Sequence, residues 1–265
     1  GKKINPVAIP GGKGLGITLA GRNARRSLPP EILAKIAALV DSVLKPGEIR
    51  LFGAATEKRL ARELILSLPA TPRNKINDLT GATGWKDLAE QLTGLDLLLA
   101  PDTGTAHLAA CLGVPVMAFF LSSALCHETG PYGLGHTVWQ ASGNCVPCIE
   151  SAACPIETKC LLPFASRDFY RSLTEFLKEG RPPAKLPDGL LLYQPKFDEL
   201  GIEFIAAAGN DEYAKKRAYA RLLVKNWLRL KTPLDNEAAL INEFRDYIGE
   251  LFPEDEWAVP PERYS

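Results

Sequence analysis

The sequence predicts an α/β fold, a doubly wound parallel sheet followed by a mostly helical C-terminal extension. Three observations carry this expectation. From about residue 15 onward, short apolar runs alternate with segments of helical apolar periodicity. Two of the runs, Leu97–Ala100 and Val114–Phe120, are almost continuously apolar, as strands covered on both faces are. Polar turns follow the runs, at the strand ends where open α/β sheets bind their ligands.

Taken in order, residues 1–14 read as a linker, rich in glycine and proline. A first strand begins at Leu15, and the basic loop Gly21–Arg26 follows it. A helix is predicted from about Pro29 to Leu44, because Pro29 and Pro30 suit a first turn and Ile32, Ile36, Leu39, Val40 and Val43 share one face. Ile49–Phe52 is the next strand, and Thr56 is a candidate N-cap for the helix that carries Leu60, Leu64 and Ile65. A third helix, holding Trp85, Leu88 and Leu92, leads into the strand Leu97–Ala100 and the turn Pro101–Thr105. A short helix then runs through Leu112 to the strand Val114–Phe120. Residues 121–165 are loop-rich, and a helix from about Arg167 to Lys178 closes an α/β domain spanning 15–182. Beyond it, 183–265 form the extension, with helices at about 211–230 and 234–252 and two short apolar runs before them.

Composition narrows the function classes. The chain has 265 residues, 46% apolar and 23% charged, which excludes disorder and collagen-like architecture. Lysine plus arginine and aspartate plus glutamate number 31 each, so no overall charge favours nucleic acid as the main partner. No apolar run reaches the length of a membrane-spanning helix, and no signal-peptide core opens the chain. The only methionine is Met117 and residue 1 is glycine, so an initiator was clipped or the chain is part of something longer.

The segment richest in chemistry is Asp102-Thr-Gly-Thr-Ala-His107, where a buried strand ends and a helix begins. Unpaired N–H groups at the helix start, with Gly104 free of side-chain bulk, suit a diphosphate. Thr103 and Thr105 add hydroxyls, and His107 lies on the first turn. Simple capping by Asp102, with His107 packed inside, is the alternative. Arg22, Arg25 and Arg26 follow the first strand and so face the same edge, either placed to pair with phosphate oxygens or forming a solvated basic loop, which is the commoner case. Glu57 sits at that edge too, where a carboxylate can accept ribose hydroxyls or complement a helix dipole. The cluster Gly11-Gly-Lys-Gly-Leu-Gly16 is neither a P-loop nor a dinucleotide fingerprint. Lys13 is not followed by Ser or Thr, and the cluster precedes a strand instead of opening a helix.

Cys145, Cys148, Cys154 and Cys160 lie within sixteen residues and open with C-x-x-C, a pattern that fits a tetrathiolate knuckle for structural zinc or iron. Two disulfides, which need an oxidising compartment, and free thiols are the rivals. Cys111 reads as a small core residue. Cys126, His127 and Glu128 are placed where they could line the crevice.

These features, in order, resemble glycosyltransferase family 9, the heptosyltransferase-like enzymes. The resemblance rests on Pro101-Asp-Thr-Gly-Thr-Ala-His-Leu-Ala-Ala110, Leu112-Gly-Val-Pro-Val116, Gly130-Pro-Tyr-Gly133 with His136, and Cys145-Val-Pro-Cys148. It covers about residues 15–180. It implies a Rossmann-like domain equivalent to the C-terminal, donor-binding half of a GT-B enzyme, with a nucleotide-sugar donor of the ADP-heptose kind. Asp102, Thr103, Gly104, Thr105 and His107 would then bind the diphosphate and sugar. Arg22 and Arg26 would serve the phosphates, Glu57 the ribose, and the loop containing Gly81 the base. The basic position is arginine where the family commonly has lysine. The resemblance also implies inverting transfer without a catalytic metal and raises the case for a metal at the four cysteines. It implies a cytoplasmic or peripherally membrane-associated bacterial enzyme of lipopolysaccharide synthesis. The glycan or glycoconjugate acceptor and the catalytic base would belong to an N-terminal domain missing from this chain. A non-catalytic module, docking a partner through a cysteine knuckle and helical tail, is the competing expectation.

Overall fold

The computed structural model describes residues 13–228, apart from Asn144, Glu150 and Pro155 and the side chains of Asn226 and Trp227. Residues 1–12 of the expected linker and the tail helix expected at about 234–252 lie outside the described residues. The described chain falls into two units. One runs to Phe197 and includes Ile202–Asp211; the other joins Asp198–Gly201 with residues from Glu212 onward.

In the first unit the chain alternates as the apolar pattern requires. Strand β1 (Gly14–Thr18) leads to helix α1 (Pro30–Leu44), β2 (Glu48–Phe52) to α2 (Lys58–Ser67) and the short α3 (Ala70–Arg73). Next come β3 (Ile76–Asp78), α4 (Trp85–Thr93), β4 (Leu97–Ala100), α5 (Gly104–Cys111) and β5 (Val116–Phe120). The short α6 (Cys126–Thr129) precedes β6 (Thr137–Ala141), and α7 (Leu162–Ala165) precedes α8 (Arg167–Glu179). Strands β7 (Leu190–Asp198) and β8 (Gly201–Ala208) complete a sheet of order β3-β2-β1-β4-β5-β6-β7-β8 among the described residues. Strands β1 to β6 pair in parallel, and β7 joins β6 antiparallel, with Trp139 opposite Leu192.

Side-chain alternation along the central strands supplies a core on each face. Leu97 and Leu99 join Ile36 and Val40 of α1, Leu64 of α2 and Phe176 of α8. Leu98 and Ala100 join Leu92 of α4 with Ala106 and Ala109 of α5 on the opposite face. Small alanines let α5 lie close to the sheet, which brings its N-terminus to the carboxyl edge. The start of β1 is pinned by Asp96, whose Oδ2 accepts from the backbone N–H groups of Lys13 (2.7 Å) and Gly14 (3.1 Å).

Four local expectations differ from the structure. Gly14 belongs to β1, not to a linker, and its burial explains why a side-chain-free residue stands there. Thr56 does not cap α2; a tight turn over Ala55–Glu57 precedes the helix, which begins at Lys58 with Glu57 before it and no side-chain cap. Residues 121–165 contain β6, whose Trp139 is buried edge-to-face against Phe169 (5.4 Å) and Phe176 (5.8 Å). Aromatic pairs of this kind contribute about 0.5–1.5 kcal/mol each beyond their burial. The sheet also continues past residue 182, because the apolar runs at 190–193 and 202–208 become β7 and β8.

The second unit holds α9 (Ala214–Trp227), within the helix expected at about 211–230. Asp198 is bound by Arg221 and by Lys225 Nζ at 3.0 Å, and Lys225 also meets Glu199 at 2.7 Å. Burial opposes ionisation of Asp198, but these cations outweigh it and hold its carboxyl at about 2.

Candidate functional site

The turn after β4 is capped by Thr103, not by Asp102. Thr103 is extended (φ −149°, ψ 159°), and its side chain accepts from the Ala106 N–H at 3.3 Å. Asp102, only 6% exposed at its side chain, is thereby released to face the neighbouring loop. Its Oδ2 accepts from Arg26 and from Thr129 Oγ1 (2.6 Å), while His107 Nε2 stands 3.6 Å from Oδ1. Burial works against the charge of Asp102. His107, the Thr129 hydroxyl and the Arg26 guanidinium prevail, and the carboxyl lies below its ordinary range.

The loop after β1 is held by its own polar side chains. The Gly21 N–H donates to Ser27 Oγ (2.7 Å), and Asn23 accepts from the Arg25 N–H (3.0 Å). A Cβ at Gly21 would stand 3.4 Å from the Asp102 carbonyl, so this loop and the Asp102 turn touch. The arginines diverge: Arg26 turns to Asp102, Arg25 Nη1 donates to the Ala152 carbonyl (3.0 Å), and Arg22 is exposed. The structure thus brings Arg26 to the Asp102 turn and leaves Arg22 outside that contact.

Glu57 reaches back from the turn before α2. A Cβ at Gly53 would fall 2.4 Å from Glu57 Oε2, so the glycine makes room for the carboxylate. Burial pushes this carboxyl above its ordinary value, against one backbone hydrogen bond from Ala54. Glu57 Oε2 and Thr18 Oγ1 are both buried without a hydrogen-bond partner. Gly81 donates its N–H to the Gly53 carbonyl (2.8 Å) with φ +72°, and a Cβ there would collide with Ala55 at 2.8 Å. A residue with a side chain would therefore push the β2 loop away.

A cavity of about 350 Å³ opens at the carboxyl edge of β1, β2 and β4; of the expected site residues Thr103, Thr105 and Glu57 line it, whereas Asp102, Gly104, His107, Arg22, Arg26 and Gly81 do not. Thr103, Thr105 and Thr18 line its polar side; Glu57 stands on the far wall, and Trp85 and Leu88 of α4 form an apolar side. Thr103 and Thr105 are where the sequence placed them. Thr18 and Trp85 were not among the expected site residues, nor was Thr129, the hydroxyl that completes the Asp102 cluster. Trp85 and Leu88 lie on a helix read only for its apolar face. Thr129 lies in a segment read as loop, with no signal linking it to residue 102.

Other expected participants have structural roles. His127 packs edge-to-face on Tyr193 (5.0 Å) and Phe204 (6.5 Å), and Cys126 is buried on α6 beside it. His136 is buried, and its Nδ1 accepts from the Val116 N–H at 3.2 Å; burial lowers its pKa. Cys111 is exposed and not a core residue, because the C-terminal end of α5 faces solvent there.

All six cysteines are free thiols, so the disulfide alternative is not what the structure holds. Burial raises the Cys160 thiol first, and the thiols of Cys148, Cys145 and Cys154 add to it, which places the four in one neighbourhood. Cys154 differs: backbone N–H groups, including that of Thr158 at 3.2 Å, pull its pKa down. Among the described residues, no three His, Cys, Asp or Glu side chains are arranged to hold a metal ion. None of the described helices is long and apolar enough to cross a membrane.

A doubly wound sheet with a polar cavity at its strand ends, against a helix N-terminus, defines a Rossmann-like ligand-binding domain. Residues 33–157 match the model of glycosyltransferase family 9 (heptosyltransferase). Among solved structures, ADP-heptose LPS heptosyltransferase II of E. coli is 19% identical over 48% of this chain and 38% of its own, with a TM-score of 0.44. The family 9 glycosyl transferase of Veillonella parvula DSM 2008 is 19% identical over 49% of this chain and 35% of its own (TM-score 0.43). E. coli heptosyltransferase WaaC with ADP is 20% identical over 64% of this chain and 45% of its own (TM-score 0.46). The chain therefore spans less than half the length of each of these three. No curated protein matches it.

Proposed function

We propose that this chain binds the nucleoside-diphosphate portion of a sugar donor, as the donor half of an inverting, heptosyltransferase-like glycosyltransferase. The cavity carries the proposal: threonine hydroxyls and the α5 N-terminus on one side, an unpartnered Glu57 oxygen on the other. Anion binding at a helix start and a carboxylate that accepts ribose hydroxyls suit the two polar parts of a nucleotide. Oxygen of an acceptor hydroxyl would bond to the anomeric carbon as the bond from that carbon to the β-phosphate oxygen breaks. The electron pair leaves with the diphosphate, and the proton passes to a base in the acceptor domain. Charge growing on the leaving group would be met by the N–H groups at Gly104 and by Arg26. Arg26 is paired with Asp102, so phosphate oxygens must share or replace that carboxylate.

Calorimetric titration with ADP, UDP and GDP tests the proposal, with Thr103→Ala and Arg26→Ala as controls. Binding that weakens about ten-fold in each variant is expected, the loss of one charge-assisted or capping contact. No nucleotide binding at millimolar concentration removes the proposal.

A structural zinc or iron at Cys145, Cys148, Cys154 and Cys160 is a second proposal, supported by their spacing and shared neighbourhood. As placed, the thiols do not form a ligand set among the described residues. Elemental analysis of protein purified without added metal decides it; metal near zero with four titratable thiols removes it.

A further inference from the structure

Trp85 stands out on the cavity wall. It is the first residue of α4, it lines the cavity beside Thr105 and Leu88, and yet it is 73% exposed. Leu66 and Ile149 are as exposed, but neither lines the cavity; Trp139, by contrast, is fully buried. The position of the indole is set from two sides. The start of α4 is fastened by the Gly84 N–H donating to Asp87 Oδ2 (3.2 Å), and the indole Cη2 lies 3.6 Å from where a Cβ on Gly104 would be. The ring therefore reaches the first turn of α5 while leaving most of its surface in water. An indole kept uncovered beside an anion cradle is a large apolar surface awaiting a partner. The partner that fits carries negative charge at one end and a flat π-surface close to it.

We propose that Trp85 is the stacking platform for the nucleobase of the donor, a specificity-determining residue that makes the cavity prefer nucleotides to other diphosphates. The inference rests on the donor-site function proposed above. Every base has a π-face, so stacking alone holds purine and pyrimidine nucleotides alike, the purine more tightly for its larger ring area. Removing one aromatic partner of a base weakens binding by about ten-fold or more.

The test is calorimetry on the full chain with ADP, UDP and inorganic pyrophosphate, for wild type, Trp85→Leu and Trp85→Phe. Exposed substitution at residue 85 leaves the fold intact, which a melting curve checks. Trp85→Leu is expected to weaken ADP and UDP about ten-fold while pyrophosphate affinity stays within about two-fold, and Trp85→Phe to restore most of the loss. Equal affinity of wild type and Trp85→Leu for ADP overturns the platform and leaves the donor site standing. A parallel loss for ADP and pyrophosphate also overturns it, because the indole would then act on the cradle instead of the base. If wild type binds pyrophosphate but neither nucleotide better, or binds nothing, the donor-site proposal itself fails and takes the platform with it.

Discussion

The turn after β4 and the cysteine loop after β6 both gather reactive side chains, and they are built in opposite ways. Asp102 closely follows a strand buried on both faces, and its neighbours Arg26 and Thr129 are delivered by the loop after β1 and by the last residue of α6. The result is a finished arrangement with distances set by strand spacing. Among the described residues no helix or strand holds Cys145, Cys148 or Cys154, Cys160 sits on the single turn Lys159–Leu161, and the thiols share a neighbourhood without converging as ligands. One region is organised by the fold before any ligand arrives; the other depends on whatever its thiols bind or do not bind. The two meet where Arg25 donates to the Ala152 carbonyl.

Replacing Asp102 tests the first region hardest. Asp102→Ala leaves the partly buried Arg26 without its carboxylate and is expected to lower unfolding free energy by about 3 kcal/mol, read by urea titration. An unchanged midpoint would mean that the cluster is not pre-organised. The pH dependence has a definite sign. Asp102 has a lowered carboxyl, so its contribution is present above the ordinary value of 3.8 and is lost as pH falls below it.

Thr103→Ala removes only the cap and is expected to cost about 1 kcal/mol of stability. A loss several times larger would show that Thr103 does more than cap.

Glu57 runs the other way. Its raised carboxyl costs stability as pH rises through 4.5, so Glu57→Gln is expected to melt slightly higher than wild type at pH 7 and equally near pH 4. The same variant should bind ADP more weakly, since an amide is a poorer acceptor for ribose hydroxyls. Higher stability with undiminished binding would take Glu57 out of the site.

The smallest effect belongs to the cysteine loop. In metal-free protein, Cys145→Ser is expected to shift stability by no more than about 0.5 kcal/mol, as for a partly exposed side chain. A larger loss that disappears on chelation would show a bound metal organising the loop and would erase the contrast between the two regions.

Much of this organisation was legible along the chain. Continuous apolar residues marked β4 and β5, because a strand covered on both faces cannot alternate. The Thr103-Gly104-Thr105 turn was legible as a helix start because helix starts need caps, and Thr103 supplies that cap. Strand β6 was not, since its five residues lie among turn and cysteine signals and only the packing of Trp139 marks them as core. The exposure of Trp85 was equally hidden: an apolar residue at helical spacing reads as core, and only the position of α4 against α5 leaves it in water.

By itself the sequence determined the alternation of strands and helices, the buried strands, and the polar turn that ends β4. These are local matters of periodicity, backbone freedom and capping, settled within a few residues. The tertiary structure alone decided that Arg26 meets Asp102, that Thr129 joins them, and that Glu57 lines one cavity with Thr103 and Thr105. Those pairings follow from strand order, which seats β1 directly between β2 and β4. Strand order is chosen by the burial of whole faces, and no short stretch of residues carries that information.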